Sequence, residues 1–233
     1  MSSAQARVYN VLRQRLVSGH YSPGEALREE ALSTDLGVSR TPVRAALKRL
    51  VDDGLVTTEL GHGIHVHEWG ERDLWEIYRI RLELEPLALE LAMQNEPDKV
   101  CAELAQSNAE MERAFADGGA DNLEQIQKAN RDFHHVALKY SGAPRIRSIL
   151  QNLTDMPIIF GSFFIYTDAE IAQSIAQHRD IVLAAGQKNP ELTRNALEHH
   201  LRMSFAALIL LRSSAKQLGS APIAAHSENP ENA

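Results

Sequence analysis

The stretch after Gly70 constrains the fold most, because segments with helical periodicity follow one another there with only short breakers between them. The predicted helices cover residues 73–94, 99–115, 123–140, 144–155, 169–188 and 191–217. Helices joined by short connections pack as antiparallel neighbours. We therefore predict an all-α antiparallel bundle over residues 71–217. Residues 218–233 are small, polar or proline residues without periodicity, which predicts a disordered tail.

Residues 1–70 have a different pattern, which predicts three helices followed by a β-hairpin. An amphipathic helix contains Val8, Val11, Leu12 and Leu16. A second helix over residues 29–36 ends at Gly37, and Ser39 is the predicted N-cap of a third. Two short strands then flank residues 61–63, Gly-His-Gly. The whole chain is therefore predicted to be mainly α.

The balance of basic and acidic residues also changes at residue 70. The net charge is -7, from 24 Lys and Arg against 31 Asp and Glu. Eight basic and eight acidic residues lie within residues 1–70, so the surplus lies in the bundle. Such a chain does not coat nucleic acid indiscriminately. The single Cys101 excludes an intramolecular disulfide. The first residues lack the continuous apolar stretch of a signal peptide, and no apolar run is long enough to span a membrane, so we expect a cytoplasmic protein.

The third predicted helix is locally basic. Residues 37–50, GVSRTPVRAALKRL, contain four basic side chains and no acidic one. Four apolar residues form its inner face: Val43, Ala46, Leu47 and Leu50. The outer face carries Thr41, Arg44 and Lys48, with Arg40 at its edge. Such a helix suits a DNA major groove, where arginine bound to guanine contributes about 1–3 kcal/mol of base discrimination. On the residues alone, a solvated basic face on an ordinary three-helix unit is equally compatible.

The string YSPGEALREEALSTDLGVSRTPVRAALKRLVDDGLVTTELGHGIHV closely resembles the winged helix-turn-helix of GntR-family bacterial transcription regulators. The resemblance implies that Ser39, Arg40 and Arg44 reach bases and phosphates, that Thr41 contacts a phosphate, and that Gly61 is the wing-tip glycine. Two positions depart from the family pattern: His62 stands where the wing often has a basic residue, and Glu30 where some relatives use a basic residue for DNA.

Three histidines of the predicted bundle suggest a metal site. His134 follows Asn130 by one helical turn, and His178 and His200 lie on two other helices. Imidazoles from several helices of a bundle can bind a transition metal, although most helical histidines are surface or core residues.

A second resemblance bears on the same residues. Residues 73–212 resemble the all-helical FCD ligand-binding domain of the FadR subfamily, in RLELEPLALELA, FHHVALKYSGAPRI and HRDIVLAAGQKNPELTRNALEHHL. It implies that Asn130, His134, His178 and His200 hold a divalent metal (Zn, Ni, Co or Mn) that helps to bind a small organic acid.

Asn130 departs from this pattern, because the family has a carboxylate there and a neutral amide oxygen is a poorer ligand. Asp132 lies about 200° around the helix and does not replace it, and His135 and His199 are each about 100° off the matched face. Arg81, in RLELEP, corresponds in the resemblance to an arginine that reaches an effector carboxylate. The alternative for Arg81 is a surface ion pair with Glu85.

These patterns predict a homodimeric, ligand-responsive repressor of a catabolic operon, released from operator DNA by an organic acid. A metal-dependent hydrolase fused to a DNA-binding head is a second candidate, although the sequence has no HExxH string or nucleophile motif. A regulator that senses its ligand without metal and an interaction bundle that binds no ligand are also compatible with the sequence.

Overall fold

The computed structural model describes residues 3–17, 20–59, 63–118, 122–154 and 166–217. The chain divides after Gly70 into two compact units, which are considered separately below. Gly61, His62 and the predicted tail over residues 218–233 lie outside the described residues.

The first unit contains three helices and a hairpin: α1 (Ser3–Val17), α2 (Glu29–Asp35), α3 (Arg40–Asp52), β1 (Val56–Glu59) and β2 (Gly63–Val66). The strands pair antiparallel, with Val56 opposite Val66. Helix α1 packs against α3, and α2 also packs against α3. The apolar residues that predicted α1 and α3 form the core of this unit, since Leu12, Leu47 and Leu50 are fully buried.

The turn between α2 and α3 depends on Gly37, whose φ of +61° is in the left-handed region that favours glycine. Helix α3 begins directly after Ser39, as predicted. Ser39 has the extended backbone of an N-cap residue, but its hydroxyl makes no capping hydrogen bond. Its side chain is exposed on the surface where α3 begins.

The second unit is all-α within the part of the chain that the structure describes. Its helices are α4 (Glu71–Asn95), α5 (Pro97–Asp117), α6 (Asn122–Tyr140), α7 (Pro144–Thr154), α8 (Asp168–Gly186) and α9 (Pro190–Gln217). Each boundary lies within two residues of the predicted one. None of these described helices is long and apolar enough to span a bilayer.

Five of these helices close into a ring. Helix α4 packs against α6 and α9, α5 packs against α6 and α8, and α8 packs against α9. Helix α7 covers α4 and α6 from outside the ring. Each of the five helices therefore directs one face inward, and side chains distant in sequence meet in the interior.

Candidate functional site

An exposed basic surface of the first unit is formed by α3 and the residues that precede it. Val43, Ala46, Leu47 and Leu50 are completely buried, which confirms the predicted inner face. The predicted DNA contacts in the described residues are all exposed: Ser39, Arg40, Thr41, Arg44 and Lys48. Helix α3 is thus anchored by one face and presents its cations on the other.

Carboxylates of α2 hold both arginines of this surface. Arg44 donates through Nε and Nη2 to the Glu29 carboxylate at 2.8 to 3.1 Å. Those hydrogen bonds lower the pKa of Glu29. Arg40 Nη2 lies 2.5 Å from Glu30 Oε1. The acidic residue at position 30 therefore pairs with an arginine of the recognition helix. Because the contacts to Glu29 use Nε and Nη2, the Nη1 hydrogens of Arg44 remain for a different partner.

The hairpin is fixed to the segment that precedes α2. The Leu27 amide donates to the Ile64 carbonyl at 2.8 Å, and the Val66 amide donates to the Glu25 carbonyl at 2.9 Å. The Gly24 amide donates to the Val66 carbonyl at 3.0 Å. These bonds give the predicted wing a fixed base within the first unit.

The second candidate site is a buried cluster of the three predicted histidines. His134 of α6, His178 of α8 and His200 of α9 are all buried, and one ligand atom from each lies within 4.8 Å of the others. His178 Nε2 lies 3.1 Å from His200 Nε2. Two nitrogens bound to one ion at about 2.0–2.1 Å are separated by about 2.9–3.4 Å. The spacing of His178 and His200 therefore fits two ligands of a common ion.

Neighbouring side chains orient two of these imidazoles. His200 Nδ1 lies 3.0 Å from Gln177 Oε1, so Nδ1 carries the hydrogen and Nε2 keeps its lone pair. His178 Nδ1 lies 3.3 Å from Met111 Sδ, and the Phe133 ring stacks on His178 at 4.0 Å. Burial lowers the pKa of all three histidines, which keeps the imidazoles neutral at neutral pH. Neutral imidazole is the form that binds metals.

Glu85 is an ionised carboxylate that lies against this cluster, and its role was not predicted from the sequence. Arg81 Nε donates to Glu85 Oε1 at 2.8 Å, and Arg81 Nη2 donates to Oε2 at 3.2 Å. Glu85 Oε2 also lies 3.3 Å from His134 Nδ1, as an electrostatic contact without hydrogen-bond alignment. Burial opposes its ionisation, but the charge of Arg81 and the contact with His134 lower the pKa of Glu85 to about 2.

Arg81 and Glu85 therefore form the ion pair that their spacing indicated. The pair is buried, however, and does not lie on the surface as that alternative expected. Arg81 is 3% exposed and Glu85 is fully buried. The i, i+4 spacing correctly indicated the pair, whereas its burial results from the helices that pack on α4. Arg81 also lies over the Tyr78 ring, at 5.1 Å from its centroid.

The remaining predicted positions lie beside the cluster. Asn130 is half-buried, one turn before His134 on α6. Asp132 pairs with Lys128 at 2.6 Å, and His199 is exposed. His135 is half-buried and belongs to none of the metal-competent groups among the described residues.

A winged helix-turn-helix joined to an all-α unit with a buried imidazole cluster defines a class of protein, the bacterial transcription regulators with a helical sensory domain. Comparison with known protein families supports this class. Residues 4–66 match the family described as "Bacterial regulatory proteins, gntR family", and residues 76–203 match the "FCD domain". The chain belongs to the GntR family and carries an FCD domain. It is a transcriptional regulator and not an enzyme, which excludes the hydrolase candidate.

Individual relatives have the same organisation. The chain is 31% identical over 193 residues to the uncharacterized HTH-type transcriptional regulator YdhC of Bacillus subtilis, covering 82% of this chain and 85% of that protein. It is 31% identical over 209 residues to the HTH-type transcriptional regulator McbR of Escherichia coli, covering 88% and 93%. The solved structure of E. coli McbR/YncC superimposes with a TM-score of 0.78 over 91% of this chain and all of that chain.

A third relative is named a repressor. The gluconate operon transcriptional repressor of Bacillus licheniformis is 32% identical over 105 residues, which is 45% of this chain and 43% of that protein.

Proposed function

We propose that this regulator is a cytoplasmic homodimeric repressor of a catabolic operon, which leaves its operator when a small organic acid binds to the second unit. Residues 1–70 would be the DNA-binding domain and residues 71–217 the effector-binding and dimerisation domain. Regulators of this family bind operator DNA and usually act as dimers. One recognition helix reads only a few base pairs, so two copies on a palindromic site double the sequence that is read.

The observation that carries the DNA-binding proposal is the anchored basic face of α3. Ser39, Arg40, Thr41, Arg44 and Lys48 are its proposed contacts, with Gly61 at the wing. Arg44 is the proposed base reader, because Glu29 occupies one edge of its guanidinium and the Nη1 side remains to approach a guanine.

For the second unit, the proposal is that a divalent transition metal binds to His134, His178 and His200, with the Asn130 amide as a further, weak ligand. Three points support it: the imidazoles are neutral, the Nε2 atoms of His178 and His200 are 3.1 Å apart, and Gln177 orients His200. Such an ion would supply a Lewis-acidic site for the carboxylate of an effector. Glu85 would supply nearby negative charge that Asn130 does not.

Arg81 is the proposed second contact of the effector. Its guanidinium already satisfies the Glu85 carboxylate, so an effector carboxylate has to share Arg81 or displace Glu85 from it. The effector must also bind more tightly to the arrangement of the dimer that does not fit the operator, since equal affinity for both arrangements shifts nothing.

Selection from a pool of randomised 30-base-pair duplexes (a length of about three helical turns) tests the DNA-binding proposal. The wild-type chain should enrich one palindromic consensus. Arg44→Ala should lose one or more specified positions in each half-site, while the melting temperature stays unchanged. Arg72→Ala is the control, because Arg72 is an exposed arginine of the second unit. If wild type enriches no consensus, or if Arg44→Ala enriches the same one, the assignment of α3 is wrong.

Elemental analysis after reconstitution with Zn, Ni, Co or Mn tests the metal. Binding should be near one ion per chain and should be lost in His200→Ala. His199→Ala is the matched control, because the adjacent His199 is exposed while His200 is buried. Equal metal content in the two variants would refute the assignment. An absence of metal from reconstituted wild type would favour a regulator that senses its ligand without metal.

A further inference from the structure

The interior of the helical ring contains polar side-chain atoms that make no hydrogen bond to any described residue. Gln127 of α6 is 2% exposed, and neither its Nε2 nor its Oε1 makes a hydrogen bond. Asn108 of α5 is 5% exposed, and its Oδ1 makes none. Buried polar groups in native proteins nearly always have a partner. A complete unpaired amide in the interior therefore indicates a group that joins the protein from outside.

Both residues lie on helix faces that continue from the histidine cluster. Gln127 precedes His134 by seven residues on α6, which places the two about 10 Å apart along the axis and within about 20° of the same face. Asn108 lies one turn before Met111, and Met111 Sδ contacts His178 Nδ1 at 3.3 Å. Helices α5 and α6 pack directly against each other.

The donors and acceptors of these side chains restrict the chemistry of the missing partner. Asn108 Nδ2 already donates to Glu112 Oε1 at 3.0 Å, so its orphaned oxygen requires a donor. Gln127 has a free donor and a free acceptor. A carboxylate offers only acceptors, and an alkyl chain or an aromatic ring offers neither. A hydroxyl group offers both.

We propose that Gln127 and Asn108 bind hydroxyl groups of the effector, which is therefore a hydroxylated carboxylic acid whose carboxylate faces the histidine cluster. This inference rests on the proposed function, in which the second unit binds an organic acid. Sugar acids fit it, because their hydroxyl groups extend over several carbons away from the carboxylate. Fatty acids and unsubstituted aromatic acids do not, because they would leave both amides unpaired in a desolvated site.

Matched pairs of acids test the proposal on the full-length chain, by calorimetry and thermal shift with and without added metal. The pairs are hexanoate and gluconate, and benzoate and 4-hydroxybenzoate, in which a hydroxyl group lies several bonds away from the carboxylate. Within the pair that binds most tightly, the hydroxylated acid should bind at least about tenfold more tightly, because its deoxy partner leaves buried polar groups unpaired. Equal or tighter binding of the deoxy acids would overturn the inference while leaving the organic-acid function intact. If no acid in any pair binds, the proposed effector function fails, and the inference fails with it.

The variant Gln127→Leu tests whether the Gln127 side chain causes the preference for hydroxylated acids. It should lower affinity for the hydroxylated acid by about tenfold and narrow the gap to its deoxy partner. It should also raise the melting temperature of the ligand-free protein, because two unpaired buried polar atoms are removed. Gln106→Leu is the control, since Gln106 is exposed on α5 and donates to Glu110. Gln127→Met provides the same comparison if the leucine variant fails to fold. Unchanged affinity for the hydroxylated acid in a folded variant, as expected if only water occupies the site, would refute the proposal.

Discussion

Replacement of Glu85 by glutamine should destabilise the second unit strongly, although it removes only one charge. Arg81 and Glu85 are 3% and 0% exposed, so the variant leaves the Arg81 guanidinium buried without a counter-ion. Loss of one partner of a buried ion pair costs about 3–5 kcal/mol. The pKa of Glu85, lowered from 4.5 to about 2, corresponds to about 3 kcal/mol of preference for the ionised form. Both the burial of the pair and the lowered pKa of Glu85 therefore predict a large loss of stability.

A pair on the same helix gives a matched control. Arg72 and Glu76 have the same i, i+4 spacing and a 2.9 Å contact, but their side chains are 91% and 52% exposed. Glu76→Gln should change the free energy of unfolding by less than about 0.5 kcal/mol, because solvent screens an exposed pair. The two variants then differ mainly in whether the ion pair that each of them breaks is buried or exposed.

Urea unfolding of the full-length chain at pH 7, followed by far-UV circular dichroism, measures these costs. A chelator in the buffer keeps metal binding from contributing to the stability. For a unit of this size the melting temperature of Glu85→Gln should fall by about 10 °C. The double variant Arg81→Met, Glu85→Leu should recover most of the loss, because apolar side chains replace both charges. Equal costs for Glu85→Gln and Glu76→Gln, or additive costs in the double variant, would contradict the reasoning.

Three further predictions concern the first unit. Glu29→Gln removes a negative charge beside Arg44, so it should raise affinity for a random duplex and make that affinity more salt-dependent, measured by fluorescence anisotropy at two salt concentrations; unchanged salt dependence would contradict this. Burial and the 2.6 Å hydrogen bond to Asp53 raise the pKa of Tyr9 to about 12, so its contribution to stability is complete below about pH 10 and is lost as the pH rises through 12. Alkaline urea titrations should show this fall in wild type and a weaker one in Tyr9→Phe, and equal falls would refute it. Gly24→Ala should cost about 1–2 kcal/mol, because Gly24 has a φ of +78°, and a thermal melt of the variant that matched wild type would count against the strain.

The order and ends of the helices could be predicted from the sequence because periodicity and breakers are local. The inward histidines could also be named in advance, but from the resemblance to the FCD domain: the turn of about 100° per residue separates buried His200 from exposed His199 without indicating which of them faces inward. The environment of Glu85 could not be predicted from the sequence. Its spacing from Arg81 indicated an ion pair, but the pair is buried because α6 and α9 pack on α4, which is a tertiary contact.

The lack of hydrogen-bond partners for the Gln127 amide also depends on tertiary contacts, so it could not be predicted from the sequence. Periodicity indicates which side of α6 faces inward, and Gln127 shares that side with His134. It does not indicate whether a polar side chain there finds a partner on another helix. That property depends on α4, α5, α8 and α9 together, and so does the chemistry of any effector.

Charge balance in the ring interior should link binding of the proposed metal to binding of the proposed effector. Arg81 and Glu85 cancel each other and the three histidines are neutral, so a lone effector carboxylate would add an uncompensated buried charge, which costs several kcal/mol. A divalent ion alone would add a buried positive charge. The carboxylate offsets one of the two charges of the ion, so each should raise the affinity for the other by the same factor. Calorimetric titration of zinc with and without the tightest-binding acid of the matched pairs, and of that acid with and without zinc, should therefore give equal coupling of at least about tenfold. Independent binding of the two would show that Glu85, and not the effector, compensates the charge of the ion.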